Sequence, residues 1–220
     1  MSSLPDATLP HASAPAAPGD ATTSPGQTPE PGLWQLMRAD IAGMVIDTGK
    51  GTPRYGLEVA LKILLFPRIQ GVLLFRLSHA CHRSRLGLVA YWLQGMGLRR
   101  CGAEIHPAAR IGPGFCLVHS AGVVIGDRTQ IGAHFICFQN VTVGDSGRGD
   151  GQPVLGDWVT ASAGAKILGG ISVGSGATVG ANSVLLRDVP EGAVAVGAPA
   201  RVAKIRAVDE QGRPLKTSGT

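Results

Sequence analysis

Residues 125–144 read IGDRTQIGAHFICFQNVTVG, and within this stretch an apolar residue recurs at every sixth position. The repeating residues are Ile125, Ile131, Cys137 and Val143, and glycine follows all of them except Cys137. A period of six fits neither an α-helix, with about 3.6 residues per turn, nor a long strand, with a period of two. It is typical of a β-solenoid in which each hexapeptide forms one short side of a coil. The repeating residue then points inward, and the small residue after it permits a tight corner.

The same spacing continues on both sides of this stretch. The further positions are Ile105, Ile111 and Leu117 upstream, and Leu155, Ala161, Ile167, Val173, Val179 and Leu185 downstream. The chain has 32 Gly but only 5 Phe, 3 Trp and 2 Tyr. This composition agrees with a solenoid, because small corners and an aliphatic interior leave little room for rings. We therefore predict a mainly β fold, a parallel β-helix of hexapeptide repeats.

The repeat breaks in two places, and inserted residues often carry function. Between Leu117 and Ile125 the step is eight residues, and this break contains His119. The second break is the Gly-rich stretch 144–153, which we interpret as a flap over a neighbouring site or as a plain solvent loop. It lacks the Gly-Lys-Ser/Thr ending of a phosphate-binding loop and the closing Glu of a calcium loop.

Outside the repeats the sequence predicts helices and tails. Helical spacing covers 33–46, a broken apolar run covers 57–77 with a joint at Phe66-Pro67, and a further helix covers 86–98. The predicted segments are a disordered tail at 1–31, an α-helical subdomain at 32–101, the β-helix at 102–189, and a C-terminal extension and tail at 190–220, with a frayed end past Arg206.

Charge and cysteine usage limit the partners and the compartment. A basic cluster precedes the repeats at Arg83, Arg85, Arg99 and Arg100. It is interpreted as a solvated helix face or as a contact with anionic phosphate or lipid, so peripheral membrane contact stays open. No aromatic residues interleave with a basic stripe, which argues against nucleic-acid binding.

The cysteines, Cys81, Cys101, Cys116 and Cys137, show no CxxC spacing. They are interpreted as reduced thiols of a cytoplasmic protein. No basic segment followed by an apolar one indicates a signal peptide. The histidines show no zinc-site spacing, so no metal is predicted.

His119 is the predicted catalytic residue, because imidazole exchanges protons near neutral pH and the eight-residue step displaces it from the regular wall. Glu104 lies 15 residues earlier, close to one turn of a three-sided coil. A carboxylate there would orient the imidazole and stabilise its cation. The alternatives are an exposed histidine without a role and a solvated glutamate.

Several segments together resemble one known family, the serine acetyltransferases of the hexapeptide class. They are GAEIHPAARIG at 102–112, His119 with GVVIG at 122–126, QNVTVG at 139–144, GAKILG at 164–169, GAPAR at 197–201 and, upstream, QGVLLFRLSH at 70–79. The resemblance covers about residues 57–205. It implies a left-handed parallel β-helix, a homotrimer or a doubled trimer (hexamer), acetyl-CoA as the donor, and a catalytic histidine at His119. Glu104 stands where the family has its catalytic Asp, and CoA would lie near Asp145, Ala163, Gly164, Thr178 and Ala181.

Two departures from the family concern the acceptor. Val118 replaces an Asp that holds the amino acid, and Gln152 stands before Pro153 where the family has an Arg-His pair; Arg148 is the only cation left in the loop. Val118, Arg148 and Gln152 are therefore the predicted acceptor contacts. Because both charges of serine need partners, we predict a sugar hydroxyl of a cell-surface polysaccharide as the acceptor. The alternatives are serine O-acetylation for cysteine biosynthesis and a non-catalytic solenoid scaffold.

Overall fold

The computed structural model describes residues 31–46 and 57–215. The disordered tail predicted at 1–31 and the end of the predicted C-terminal tail therefore lie almost wholly outside the described residues.

The described N-terminal part is helical and matches the helices predicted from the sequence. The helices are α1 (Leu33–Ile46), α2 (Leu57–Leu65), α3 (Pro67–Arg83) and α4 (Gly87–Cys101). Pro67 begins α3, where its missing N–H costs no hydrogen bond, and Phe66 before it is extended. Gly102 ends α4 in the left-handed conformation, with φ 68°. None of the described helices is long and apolar enough to cross a membrane.

After Gly102 the chain winds into a parallel β-helix with three faces. Face 1 contains β1 (Ala103–Ile105), β4 (Val123–Ile125), β7 (Thr142–Gly144), β10 (Lys166–Leu168) and β13 (Val184–Leu185). Face 2 contains β2 (Arg110–Ile111), β5 (Gln130–Ile131), β8 (Val154–Leu155) and β11 (Ser172–Val173). Face 3 contains β3 (Cys116–Leu117), β6 (Ile136–Cys137), β9 (Thr160–Ala161), β12 (Thr178–Val179), β14 (Ala193–Gly197) and β15 (Ala200–Ile205). Each strand up to β13 pairs in parallel with the equivalent strand of an adjacent coil, as Ile105 does with Ile125.

The repeating residues form the core of this β-helix. Every residue of the six-residue pattern, from Ile105 to Leu185, is between 0% and 6% exposed. The predicted fold class is thus confirmed. One detail of the prediction was wrong, because the interior does hold rings: Phe115 and Phe135 are fully buried and stack with centroids 5.8 Å apart. They occupy equivalent corners of consecutive coils, where the interior is wide enough for a stacked pair.

The glycine after each strand of face 2 is required by the next coil. A Cβ on Gly112 would lie 2.7 Å from Ala133 N and from Gly132 C, which are backbone atoms of the coil above. Since backbone cannot give way as a flexible side chain does, a larger residue here would separate the coils. The same close approach of backbone occurs at Gly132, Gly156 and Gly174, which explains the glycines that follow the strands of face 2.

A buried ion pair fastens the helices to the first coil. Arg76 in α3 donates from Nε to Asp40 Oδ2 at 2.7 Å, and the two side chains are 1% and 0% exposed. The same guanidinium donates to Ile111 O at 2.6 Å and to Gly112 O at 2.7 Å. Asp40 Oδ1 also accepts from Phe115 N at 2.9 Å. Helices α1 and α3 are therefore fixed to the corner between faces 2 and 3.

The C-terminal region continues the fold past residue 189. Strand β14 pairs in parallel with β12, and β15 returns antiparallel to β14. The frayed end predicted past Arg206 was wrong for residues 207–215. Leu215 N donates to Ala207 O at 2.9 Å, and the guanidinium of Arg213 lies 4.7 Å from the centre of the Trp158 ring.

Candidate active site

His119 lies on the turn at residues 118–122, which connects β3 to β4 and contains the eight-residue step. Its side chain is exposed. Its ring centroid is 6.4 Å from that of Phe138, which occupies the equivalent turn of the next coil. Directly before it, Val118 N donates to Cys137 O at 2.8 Å. The backbone beside the histidine is thus held in the coil while its imidazole is accessible to a ligand, as general base chemistry requires.

Arg68, near the start of α3, is a residue that the sequence did not single out. Its Nη1 donates to Val118 O at 3.2 Å, directly before His119. Its Nε is buried without a hydrogen-bond partner. In the sequence, Arg68 is recognisable only as a cation inside an apolar run. Its contact with Val118 spans 50 residues, and a contact of that kind produces no periodic pattern in the sequence. Through Arg68, helix α3 braces the turn that carries His119.

Glu104 is exposed on face 1, at the centre of β1, and its Cα pairs with that of Val124 on the coil above. Within the part of the chain that the structure describes, no hydrogen bond joins the Glu104 carboxylate to the His119 imidazole. Catalytic hydrogen bonds are often long before substrate binds. The pairing of Glu104 with His119 therefore remains a prediction.

The predicted site residues fall on two different edges of the prism. The His119 edge consists of the turns from face 3 to face 1, at 118–122, 138–141, 162–165 and 180–183. The loop edge consists of the turns from face 1 to face 2, at 106–109, 126–129, 145–153 and 169–171.

The His119 edge brings several predicted residues into one line. Val118 lies beside His119, Ala163 and Gly164 lie on the turn two coils higher, and Ala181 lies one coil above those. Gly164 has φ +75°, and a Cβ there would overlap Asn182 Oδ1. Ala163 O accepts from Asn182 N at 2.8 Å. Small residues thus leave the upper part of this edge as a smooth backbone surface.

Thr178 is also in the upper coils, but on face 3. Its hydroxyl accepts a hydrogen bond from Arg206 Nη2 at 2.6 Å. Because a hydroxyl has one donor and two acceptor sites, Thr178 retains capacity for a ligand beside Arg206.

The loop edge holds the other predicted residues, which the structure does not bring to His119 within one chain. Asp145 and Arg148 are exposed. Gln152 is turned toward the coil below: its Oε1 accepts from Arg128 N and from Thr129 Oγ1, both at 3.0 Å, and its Nε2 donates to Asp127 Oδ1. Face 1 separates these residues from the His119 edge.

An apolar groove lies beside the His119 turn, between face 3 and α1. Val118, Cys116, Phe138 and Trp158 line it, with Gly43 on the α1 side. Val118 therefore gives the surface next to the catalytic candidate an apolar character. Among the described residues no group of three His, Cys, Asp or Glu side chains could hold a metal ion.

Comparison with known proteins gives a consistent result. No protein-family model matches the chain. A serine acetyltransferase of Helicobacter pylori strain J99 is 44% identical over 141 residues, which are 63% of this chain and 82% of that relative. A serine acetyltransferase of Bacillus licheniformis is 40% identical over 172 residues, 77% of each chain.

Solved structures agree with these relatives. The crystal structure of the Neisseria gonorrhoeae serine acetyltransferase matches with a TM-score of 0.70 at 33% identity, covering 84% of this chain and 67% of that chain. The Brucella abortus serine acetyltransferase in complex with coenzyme A matches with a TM-score of 0.71 at 31% identity, covering 79% and 68%.

A hexapeptide β-helix with an exposed histidine on an extended turn defines an acyltransferase of the hexapeptide class. Identity of 44% to a relative of which the chain covers 82% then shows the family. The chain belongs to the serine acetyltransferase family, whose members are acetyl-CoA-dependent O-acetyltransferases. The resemblance predicted from the sequence is confirmed, and acetyl-CoA as the co-substrate agrees with the solved complexes with CoA.

Proposed function

We propose that this protein transfers the acetyl group of acetyl-CoA to a hydroxyl of L-serine, with His119 as the general base. The observation that carries the proposal is the exposed imidazole on the extended turn at 118–122, within a chain whose relatives are named serine acetyltransferases. The sugar hydroxyl predicted from the sequence is the second candidate acceptor.

The reaction needs one proton carrier. His119 removes the proton from the acceptor hydroxyl, and the oxygen attacks the carbonyl carbon of the thioester. A C–O bond forms and the C–S bond breaks. The proton held by the imidazolium then passes to the CoA sulfur, which leaves as the thiol. The atoms balance without an acyl-enzyme intermediate, so the site needs no nucleophilic side chain.

Acetyl-CoA would lie along the His119 edge, above the histidine. Ala163, Gly164 and Ala181 present little side chain there, so an extended ligand can approach the backbone closely. Thr178 offers a hydroxyl nearby on face 3. Backbone N–H groups near the Gly144 loop are suitable donors for the developing oxyanion.

A homotrimer would explain why the predicted residues occupy two edges. Face 1 separates Asp145, Arg148 and Gln152 from His119 within one chain, so these groups meet only if the loop edge of one subunit faces the His119 edge of another. We therefore propose that the complete site forms between subunits, in a trimer or a doubled trimer. The four cysteines form no disulfide among the described residues, which is compatible with the predicted reducing cytoplasm.

The second candidate acceptor is an uncharged sugar hydroxyl. Val118 is apolar and lines the groove beside His119, and Gln152 already bonds the coil below. These observations favour an acceptor without a charged amino-acid group. L-serine, in contrast, would need partners for its ammonium and carboxylate from a neighbouring subunit, because buried charges without partners are costly.

The test measures release of the CoA thiol with L-serine and with a panel of monosaccharides and glycans. We expect His119→Ala to lower kcat by at least ~10² with CoA binding retained, while the matched variant His82→Ala in α3 keeps wild-type turnover. Wild-type turnover in His119→Ala would contradict the assignment of His119 as the general base. Efficient turnover of sugars but not of serine would select the second candidate, and no thioester consumption with any acceptor would favour a scaffold.

A further inference from the structure

Helix α4 is apolar on two opposite sides. The inner side is buried within the chain, whereas the outer side is largely exposed, although the centroid of the Tyr91 ring lies 5.7 Å from that of His106. The inner side carries Ala90, Leu93 and Cys101, which are 0%, 9% and 5% exposed. On the outer side, Leu88, Tyr91 and Trp92 are 91%, 51% and 59% exposed. These three residues have the i, i+3, i+4 spacing of a single helix face. A helix that is apolar all round is normally buried on both sides, so the outer side requires an explanation.

The neighbouring helix α2 and the turn after it extend this surface. Leu64 and Leu65 are each 67% exposed, and Phe66 is 44% exposed. A groove lined by Leu64 of α2, Leu73 and Leu77 of α3, and Met96 of α4 connects the helices. Exposed apolar patches of this extent on a soluble domain mark an interaction surface.

The charge of these helices identifies the partner. Residues 57–101, which span α2 to α4, contain one acidic residue, Glu58, and seven basic ones: Lys62, Arg68, Arg76, Arg83, Arg85, Arg99 and Arg100. Arg76 is neutralised by the buried carboxylate of Asp40 and does not contribute to the surface charge. The side chains of Arg83, Arg85, Arg99 and Arg100 are exposed at the two ends of α4. An apolar strip flanked by arginines is complementary to an anionic surface with an apolar interior.

We propose that α2 and α4 form a docking surface for an anionic lipid bilayer, on which the protein binds peripherally. Leu88 and Leu64 would enter the boundary between head groups and acyl chains. Tyr91 and Trp92 suit the head-group level, where amphipathic rings are enriched. The arginines would reach the lipid phosphates, as basic residues beside an anionic lipid surface do.

A second copy of the chain is a poorer occupant by charge. Symmetric pairing through this surface would place arginines opposite arginines, and Glu58 is the one acidic residue between 57 and 101 to balance them. Like charges facing each other across an interface are unfavourable. The lipid surface has no such conflict. The inference is independent of the acceptor and of the proposed chemistry at His119.

The test is flotation of the purified full chain with vesicles of phosphatidylcholine alone or in an equal mixture with phosphatidylglycerol. We expect binding to the anionic vesicles only, weakened by salt since surface charges are screened over about 10 Å at 0.1 M. Leu88→Ser with Trp92→Ser should lower the vesicle partition at least about tenfold, because two apolar side chains no longer leave water. The matched control is Ile205→Ser, which changes an apolar residue 63% exposed in β15.

A second measurement needs no disruptive variant. Brominated lipid should quench the tryptophan fluorescence of the wild-type protein, and Trp92→Phe, which keeps an apolar ring, should remove most of the quenching. Three outcomes would each overturn the proposal. The first is no binding to the anionic vesicles, and the second is equal binding to neutral vesicles. The third is a double variant that partitions onto vesicles like the wild type but has a different mass in solution, which would assign the surface to a second copy.

Discussion

The ion pair of Asp40 with Arg76 allows a quantitative prediction about how the helices are held on the β-helix. Both side chains are buried, and Arg76 donates to Asp40 and to two backbone carbonyls. Asp40→Asn leaves the guanidinium buried beside a neutral amide. Removing one partner of a buried pair costs about 3–5 kcal/mol, and a weakened bond to Phe115 N would add to that. We therefore expect Asp40→Asn to lower the free energy of unfolding by about 3–5 kcal/mol.

The assay is urea unfolding at one fixed protein concentration, since subunit assembly would also stabilise the fold. The double variant Asp40→Asn with Arg76→Gln should cost less than the sum of the single variants, because it leaves no buried charge unpaired. Arg128→Gln is the control: its side chain is 68% exposed and lies 3.9 Å from Asp145, and it should change stability by no more than about 0.5 kcal/mol. A loss below about 1 kcal/mol for Asp40→Asn, or strict additivity, would refute the reasoning.

Three further predictions concern the site and the pH dependence. Glu104→Gln should lower kcat less than His119→Ala does, because imidazole can act without its orienting carboxylate; equal losses would contradict this. Arg68→Ala should lower kcat while KM for acetyl-CoA stays near wild type, because it frees Val118 O beside the catalytic turn, and unchanged kcat would contradict it. Burial lowers the pKa of His134 from its usual 6.5, with Arg213 acting in the same direction and Asp157 opposing it. As the pH falls, His134 of the unfolded chain therefore takes up a proton near pH 6.5, before His134 of the folded protein does. The free energy of unfolding consequently decreases as the pH falls from 6.5 toward the lowered pKa of the folded state. Between pH 7.5 and pH 5.5 the urea midpoint should consequently fall further for the wild type than for His134→Asn. Equal falls for the two proteins would contradict this prediction.

Much of the fold could be predicted because each coil repeats the same local geometry. Ile131 and Val173 lie inside for the same reason as their neighbours, and the six-residue period records this. Pro67 likewise marked a helix boundary through its own backbone. The eight-residue step identified His119, because a departure from a regular pattern is the clearest signal that a repeat sequence offers.

The contacts that sequence reasoning missed join distant segments. Arg76 meets Asp40 across 36 residues, and Arg68 meets Val118 across 50. No period relates such pairs, and an arginine in a helical run reads equally well as a solvated cation. The stacked Phe115 and Phe135 were missed because the aliphatic pattern describes strands, while these rings fill corners.

The hydrogen bonds of Gln152 decide what the loop can offer to an acceptor. Its carbonyl accepts from Arg128 N and Thr129 Oγ1, and one of its two N–H groups serves Asp127. One N–H group therefore remains, too little to hold a carboxylate. Arg148 is exposed on the same loop, and its guanidinium can grip a carboxylate through two parallel bonds.

If L-serine is the acceptor, we expect Arg148 to hold its carboxylate. A hydrogen bond to a charged group contributes about 1.5–3 kcal/mol, and each ~1.4 kcal/mol is tenfold in affinity. Arg148→Ala should thus raise KM for serine by at least about tenfold and leave KM for acetyl-CoA unchanged. Gln152→Ala should lower the urea midpoint with little change in KM for serine. The reverse pattern would mean that Gln152 gives up its bonds to the coil below when serine binds, and that the loop rearranges around the substrate.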